Sequence, residues 1–354
     1  MARFNTLTVS DIKRETEDCV SIGFDVPEDL RDAYDFRQGQ YLTLKTTIDG
    51  EEVRRSYSIC AGVPEGRLRV AVKTVPGGVF STYANSRLHP GDVLEVMPPA
   101  GRFTTPIEPE KAKSYVLFAA GSGITPVMSI VKTVLALEPD SDVTLFYGNR
   151  RGGSIIFRED LEDLKNTYMD RLRVFHVLSR DVQQTDLLRG RLDREKVDAL
   201  LDAFVDLETT DHVFVCGPEG MTEAVRDALK DRAFPSGHVH FELFGAPGQA
   251  KAAAKPASEP TGEQTTVRIT MDGLNTEFAM DRAETVLDAG RTAGLDLPFA
   301  CKGGVCATCR CKVVDGDVAM DVNYGLEEAE VKAGYILSCQ ARPKTKSLTV
   351  DFDA

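Results

Sequence analysis

Nowhere in the 354 residues is there an unbroken apolar run of the roughly 18 residues that cross a bilayer. The nearest, YVLFAAGSGITPVMSIV from Tyr115, is cut by glycines, serines, a threonine and a proline. The opening MARFNTLTVSDIKRE lacks the basic start and apolar stretch of a secretory leader. The expectation is a soluble, cytoplasmic protein without a membrane partner. Basic residues are in deficit, with 42 Lys and Arg against 55 Asp and Glu and a formal net charge of -13. That excludes the basic surface by which proteins displace counterions from nucleic acid. Histidine is sparse: there are five, none in an E-x-x-H pair, so this chain holds no bundle-type di-iron centre of its own. Cysteine is sparse too, yet four of the eight fall within CKGGVCATCRC, Cys301 to Cys311. In a reducing compartment such clustering favours metal binding or catalysis over disulfides.

Length and balance then set the organisation. A chain of 354 residues, 42% hydrophobic and 27% charged, has material for two to three domains. Residues 1–110 read as short β-rich runs separated by turns, among them CVSIGFDV, QYLTLKTTI, SYSIC and RLRVAVKTV, which predict a small β-barrel or sandwich. From Ser114 the pattern becomes strand, turn, helix, repeated to about residue 245, which predicts a parallel sheet with helical crossovers. APGQAKAAAKPASEPTGE, residues 246–263, has little to bury and the composition of a linker. Residues 264–354 then form a compact module holding the clustered cysteines.

Cys301, Cys306 and Cys309 are spaced C-x4-C-x2-C, and Cys339 follows after 29 residues. This spacing is that of a 2Fe-2S cluster held by four thiolates. Zinc more often takes two separated C-x2-C pairs or a Cys/His mixture. Gly303, Gly304 and Ala307 are small, letting backbone amides approach the cluster sulfides. Cys311 is surplus and reads as a small buried thiol. With LSCQ around Cys339, residues 264–354 resemble a plant-type ferredoxin. That family implies a β-grasp fold, with VRITMD and NTEFAM as a first hairpin, ETVLDAGRTAG as a helix and LTVDFD as a closing strand.

Four further motifs precede the linker. RRSYSIC contains R-x-Y-S, VPGGVFSTYA a glycine turn with hydroxyls, GSGITP a strand-to-helix turn, and CGPEGM a strand end. Alone, each has an ordinary reading as packing, turn or surface charge. A turn that opens a helix directs free amides and the positive helix end at an anion, as a dinucleotide pyrophosphate would require. CGPEGM sits where open α/β sheets bind ligands. In this order the four resemble the ferredoxin-NADP reductase superfamily. The resemblance implies FAD bound by Arg55 at the pyrophosphate, Tyr57 against the isoalloxazine and Ser58 near its N5, with Gly78, Ser81 and Thr82 as the second flavin element. It implies nicotinamide nucleotide on Gly121, Gly123, Thr125 and Pro126, with Cys216, Gly217, Pro218 and Met221 beside the nicotinamide. Glu242 and Phe244 match the strand that returns to the flavin. Tyr57, Ser58, Cys216 and Glu242 are the implied catalytic set. Ser179-Arg180 matches a pair that grips a 2′-phosphate, and Arg150 and Arg151 add charge at a neighbouring strand end, so NADPH is favoured over NADH.

The fold class expected is therefore multidomain: an FAD-binding β-barrel (1–110), an α/β nicotinamide-binding domain with a parallel sheet (111–245), a linker (246–263) and a β-grasp ferredoxin domain (264–354). The whole order resembles reductase components of multicomponent oxygenases. RFNTLTV, DGEEVRRSYSIC, ACKGGVCATC, NYGLEEAE and VDFDA resemble in particular the reductase subunits of bacterial phenylacetyl-CoA 1,2-epoxidases. This implies an oxidoreductase whose electrons leave for the di-iron oxygenase subunit of such a system. Two rivals stand beside it: an NADH-dependent reductase of another aromatic oxygenase, and a non-catalytic iron-sulfur redox sensor or carrier.

Overall fold

The structure, a computed structural model, describes residues 4–183, 185–244 and 262–354. Most of the expected linker at 246–263 therefore lies outside the described residues. The rest divides into two compact units, residues 4–53 with 57–244, and residues 54–56 with 262–354.

The first unit opens with strands β1 (Asn5–Thr16), β2 (Cys19–Asp25), β3 (Tyr41–Ile48), β4 (Glu51–Ser58), β5 (Leu68–Lys73) and β6 (Val93–Val96), in the sheet order β4-β3-β6-β1-β2-β5. Just beyond β4, Ile59 bridges Val70 of β5, and the Cys60 amide donates to the Arg69 carbonyl at 2.9 Å. The two outer strands thus meet and the sheet closes into a barrel, which removes unpaired edges. Leu7, Ile22, Leu42, Val70 and Leu94 fill its interior. A helix, α1 (Val79–Ser86), buries Phe80 and Ala84 against that core.

The same unit continues as β7 (Ser114–Ala120), α2 (Ile124–Leu137), β8 (Asp142–Asn149), α3 (Arg158–Thr167), β9 (Leu172–Leu178), α4 (Arg194–Phe204), β10 (His212–Cys216), α5 (Glu219–Asp231) and β11 (Val239–Glu242). These five strands form one parallel sheet in the order β11-β10-β7-β8-β9. Both faces are covered, so β7 is apolar from Val116 to its end. Tyr115, Leu117 and Ala119 pack on one side with α2 and α3, and Val116 and Phe118 on the other with α4 and α5. Matched polar groups join α2 to the barrel. Ser129 Oγ donates to the Ala61 carbonyl at 2.7 Å, and the Val63 amide donates to Thr133 Oγ1 at 3.0 Å. Lys132 pairs with Glu65 at 3.0 Å and with Asp160 at 3.3 Å.

The second unit contains β12 (Gln264–Met271), β13 (Leu274–Asp281), α6 (Val286–Thr292), β14 (Arg310–Asp315), β15 (Val318–Met320), α7 (Glu328–Lys332), β16 (Tyr335–Leu337), β17 (Ala341–Pro343) and β18 (Ser347–Asp351). Its main sheet runs β13-β12-β18-β14-β16, and β15 pairs with β17 as a separate ribbon. The β12–β13 hairpin, helix α6 and a closing β18 parallel to β12 are the pieces read from the sequence. Thr285 caps α6, its hydroxyl accepting from the Asp288 amide at 3.2 Å. Among the described residues no helix is long and apolar enough to cross a membrane.

Candidate functional site

Strand β4 ends in Tyr57 and Ser58, and the parallel sheet ends in Cys216 on β10 and Glu242 on β11. Sheet register sets Cys216 opposite Glu242. Ser58 Oγ donates to Glu242 Oε2 at 3.2 Å, so three of the four residues expected to be catalytic meet at one point. Burial pushes the Glu242 carboxyl up to about 8, and the Ser58 hydrogen bond offsets only part of that. Burial, and then the Glu242 carboxylate, push the Cys216 thiol far above its ordinary value, so it is a neutral, shape-defining group and not a nucleophile. The half-buried Tyr57 ring stands 5.4 Å from Phe80 of α1 at an interplanar angle of 36°.

Arg55 is exposed on β4, its Nη1 donating to the Arg54 carbonyl at 2.7 Å. Gly78 begins α1, where the first helical amides lack intrahelical acceptors and attract anions. The two hydroxyls expected to bind there both bond to backbone of this turn, Ser81 from a buried position and Thr82 from an exposed one. Ser81 Oγ accepts from the Val75 amide at 3.1 Å and lies 3.3 Å from the Gly78 carbonyl, and Thr82 Oγ1 donates to that same carbonyl at 2.7 Å. These side chains shape the turn, and no side chain caps the first amides of α1. A Cβ on Gly78 would lie 2.5 Å from Ser81 Oγ, so only glycine fits the turn as built.

The GSGITP and CGPEGM turns lie against each other. Gly121 has φ +54°, Gly121–Gly123 form one 3-10 turn, and α2 follows at Ile124. A Cβ on Gly123 would stand 2.0 Å from the Cys216 carbonyl oxygen, and one on Gly217 would stand 2.5 Å from Met221 Cε. At Gly123 glycine is required because two backbones touch there, whereas at Gly217 the near atom is the end of a flexible side chain. Thr125 Oγ1 donates to the Ser122 carbonyl at 3.0 Å, and Pro126 is buried in the first turn of α2. Pro218 precedes α5 and its carbonyl accepts from the Met221 amide at 3.0 Å. Sequence reasoning misses two residues here. Tyr147 donates to the Gly121 carbonyl at 3.0 Å, and Asn149, two residues further along β8, has its side-chain Nδ2 buried without a hydrogen-bond partner among the described residues. Their only sequence signal is polar atoms within YGN at the end of an apolar strand.

Beyond β8 and β9 the backbone ladder continues, the Ser179 amide donating to Asn149 at 3.0 Å and the Arg180 amide to Arg150 at 2.8 Å. This places Arg150 and Arg180 side by side at the carboxyl end of the sheet, both exposed, as is Arg151. Asp181 accepts from the Gly152 amide at 2.7 Å and holds the adjoining turn. Phe244 lies past the end of β11 with its ring exposed.

In the second unit the four expected ligands stand as two pairs, Cys301 with Cys306 and Cys309 with Cys339, each within hydrogen-bonding reach. Among the described residues no three His, Cys, Asp or Glu side chains converge as one mononuclear metal ion would need. Two thiolates on each of two irons is the arrangement that pairs serve, so the residues fit a binuclear cluster better than zinc. The Gly303 and Cys306 amides donate to Cys301 Sγ at 3.3 and 3.4 Å, and Gln340 Nε2 donates to Cys339 Sγ at 3.4 Å. The Cys306 thiol, and then backbone amides, pull Cys301 down to about 5, toward the thiolate that a metal takes. Lys302 and Ala307 adopt φ +49° and +52°, and Gly304 +74°. A loop that keeps two non-glycine residues in this region is held there by its surroundings. Cys311, on β14, is buried in the core with its thiol pushed up by burial, as expected for a structural cysteine.

With this geometry in place, the comparisons fall on the same three parts. An oxidoreductase FAD-binding domain model matches residues 6–105, an oxidoreductase NAD-binding domain model residues 117–227, and a 2Fe-2S iron-sulfur cluster binding domain model residues 269–344. A subunit of 1,2-phenylacetyl-CoA epoxidase from Escherichia coli K12 is 46% identical, covering 100% of this chain and 99% of that protein. The ferredoxin reductase component of 3-ketosteroid-9-alpha-monooxygenase from Rhodococcus rhodochrous is 35% identical, over 98% and 96%. The solved structure of phthalate dioxygenase reductase, described as modular for electron transfer from pyridine nucleotides to 2Fe-2S, superposes with TM-score 0.61 at 26% identity, covering 99% and 98%.

Proposed function

Because the chain belongs to the family of flavin- and iron-sulfur-dependent oxygenase reductases that includes this component of 1,2-phenylacetyl-CoA epoxidase, we propose that it carries electrons from NADPH to the di-iron oxygenase subunit of a phenylacetyl-CoA 1,2-epoxidase. The observation that carries this reading is one full-length match at 46% identity, with all three site constellations present in order. The rival reading as a non-catalytic iron-sulfur module has no use for the Ser58–Glu242–Cys216 cluster.

In this reading the GSGITP turn and the α2 amino end bind the dinucleotide pyrophosphate, and Ser179, Arg180 and Arg150 bind the 2′-phosphate. Cys216 and Gly217 leave a flat, uncharged wall for the nicotinamide. Tyr57 supplies an aromatic face to a planar ring, and the amides of α1, with Arg55, hold a second pyrophosphate. FAD, when bound, supplies the conversion of hydride to single electrons, and the 2Fe-2S cluster supplies their onward passage. The chain's own contribution is positioning, plus a proton held between Ser58 Oγ and Glu242 Oε2. Cys301, Cys306, Cys309 and Cys339 would hold the cluster.

The test is turnover with each nucleotide, with the purified oxygenase subunit and phenylacetyl-CoA as the terminal acceptor. NADPH is expected to give the higher kcat/KM. Arg180→Ala is expected to raise the KM for NADPH about tenfold or more, the loss of roughly one charge-assisted contact, and to leave NADH within about twofold. A preference for NADH would overturn the nucleotide assignment. Absence of epoxidation with an active reductase would overturn the partner assignment.

A further inference from the structure

Gln340 directly follows the fourth cysteine and is buried, with 8% of its surface exposed. A glutamine is placed inside a protein when its amide finds partners there. Its Nε2 carries two hydrogens, and two acceptors stand within reach. The Lys302 carbonyl accepts at 2.9 Å and Cys339 Sγ at 3.4 Å. Both hydrogens are therefore used, one on the loop that carries Cys301 and Cys306, the other on the distant ligand.

The side chain is held from several directions. The Gln340 backbone amide donates to the Leu337 carbonyl at 2.8 Å, and its carbonyl accepts from the Asp321 amide at 2.9 Å. A Cβ on Gly304 would lie 3.2 Å from Gln340 Cγ, so the loop backbone closes over the stem of the side chain. Lys302 keeps φ +49°, a conformation that needs outside support, and the bond from Gln340 to its carbonyl supplies some. A donor fixed this way is already aimed before it is needed. It also differs from its neighbours. The Gly303 and Cys306 groups that reach Cys301 are backbone amides, which almost any residue provides. The Gln340 donor is a side chain, so it depends on the residue at this position.

We propose that Gln340 is a positioning residue that raises the reduction potential of the 2Fe-2S cluster by donating Nε2–H to Cys339 Sγ, and that it braces the Cys301–Cys306 loop through the Lys302 carbonyl. Reduction adds one electron to the cluster and so increases the negative charge carried by its thiolate sulfurs. A donated N–H stabilises the more negative state more, and does so strongly where water is excluded. Removing the donor makes the cluster harder to reduce. The inference rests on cluster binding by Cys301, Cys306, Cys309 and Cys339, and not on the nucleotide or acceptor assignments.

The test is a potentiometric titration of the full chain, carrying FAD and cluster, followed by the EPR signal of the reduced cluster. Gln340→Leu, similar in size and without a donor, is expected to shift the reduction equilibrium about tenfold toward the oxidised form, a midpoint lower by about 59 mV for one electron. Gln340→Glu keeps the shape, replaces the donor by an acceptor, and is expected to lower the midpoint at least as far. Gln264→Leu, at the exposed start of β12, is expected to leave it unmoved. A shift below about twofold in cluster-loaded Gln340→Leu overturns the proposal. Pulsed EPR on the unaltered protein, isotope-labelled at the glutamine side-chain nitrogens, needs no variant. A glutamine nitrogen coupled to the reduced cluster supports the contact, and no coupling overturns it. No cluster signal at all from the reduced, unaltered protein would overturn cluster binding itself, and this inference with it.

Discussion

Ser58 and Glu242, 184 residues apart, share a hydrogen bond of 3.2 Å between the barrel and the last strand of the parallel sheet. The bond joins a hydroxyl to a carboxyl whose burial favours its protonated form. Its folded-state value of about 8 lies above the ordinary 4.5, so between those limits the folded chain binds more protons than the unfolded one. Stability is therefore present below pH 4.5 from this group and is lost as pH rises toward 8. Glu242→Gln is expected to flatten the fall in melting temperature between pH 5 and 9, a difference on the order of a few kcal/mol. It is also expected to slow reduction of the flavin by NADPH, with ligand binding retained. An unchanged pH profile of stability would show that the carboxyl is ionised in the folded protein.

Gly123→Ala tests the contact between the two nucleotide turns. The added methyl would meet the Cys216 carbonyl at 2.0 Å, and both partners are backbone that does not yield cheaply. A loss of about 1–3 kcal/mol is expected in denaturant unfolding, together with a raised KM for nucleotide. Gly153→Ala, where the built Cβ meets nothing within 4 Å, is the control and is expected to do neither.

Glu138 tests the buried base of the same sheet. It is fully buried and accepts from Tyr115 Oη at 2.9 Å, Ser141 Oγ at 2.8 Å, Lys113 Nζ at 3.1 Å and the Glu108 amide at 2.8 Å. Glu138→Ala leaves Tyr115, Ser141 and the Glu108 amide without their buried acceptor and Lys113 with Glu108 and the Pro106 carbonyl alone, and is expected to cost about 3 kcal/mol or more. Urea unfolding measures it directly. A loss below about 1 kcal/mol would mean that water reaches Lys113.

Much of this architecture is legible in the residues themselves. GSGITP and CGPEGM announce turns at strand ends because glycine and proline leave few other conformations open. C-x4-C-x2-C with a distant fourth cysteine points to a 2Fe-2S domain by count and spacing, and a 2Fe-2S cluster binding domain matches there. Other parts depend on tertiary context. VFSTYANS, rich in β-branched and aromatic residues, forms α1 because Phe80 and Ala84 find the barrel core and Gly78 accepts the turn's hydroxyl. Strand β4 begins at Glu51, not at Ser56, with Glu51, Glu52 and Arg55 exposed and Arg54 buried. The proton affinity of Glu242, the hydrogen bond under Gly121 and the bond from Gln340 to Lys302 all arise between elements distant in sequence. No local pattern encodes them.

The central claim is a linear path from flavin to the clustered cysteines, and Cys306→Ser probes it most directly. Two acceptors are compared in steady state with NADPH: ferricyanide, which accepts from the flavin, and cytochrome c, which accepts from the cluster. Cytochrome c reduction is expected to fall by about a hundredfold or more, roughly 2.7 kcal/mol at least, while ferricyanide reduction stays within about twofold. Equal loss of both activities, or retention of both, would contradict the path.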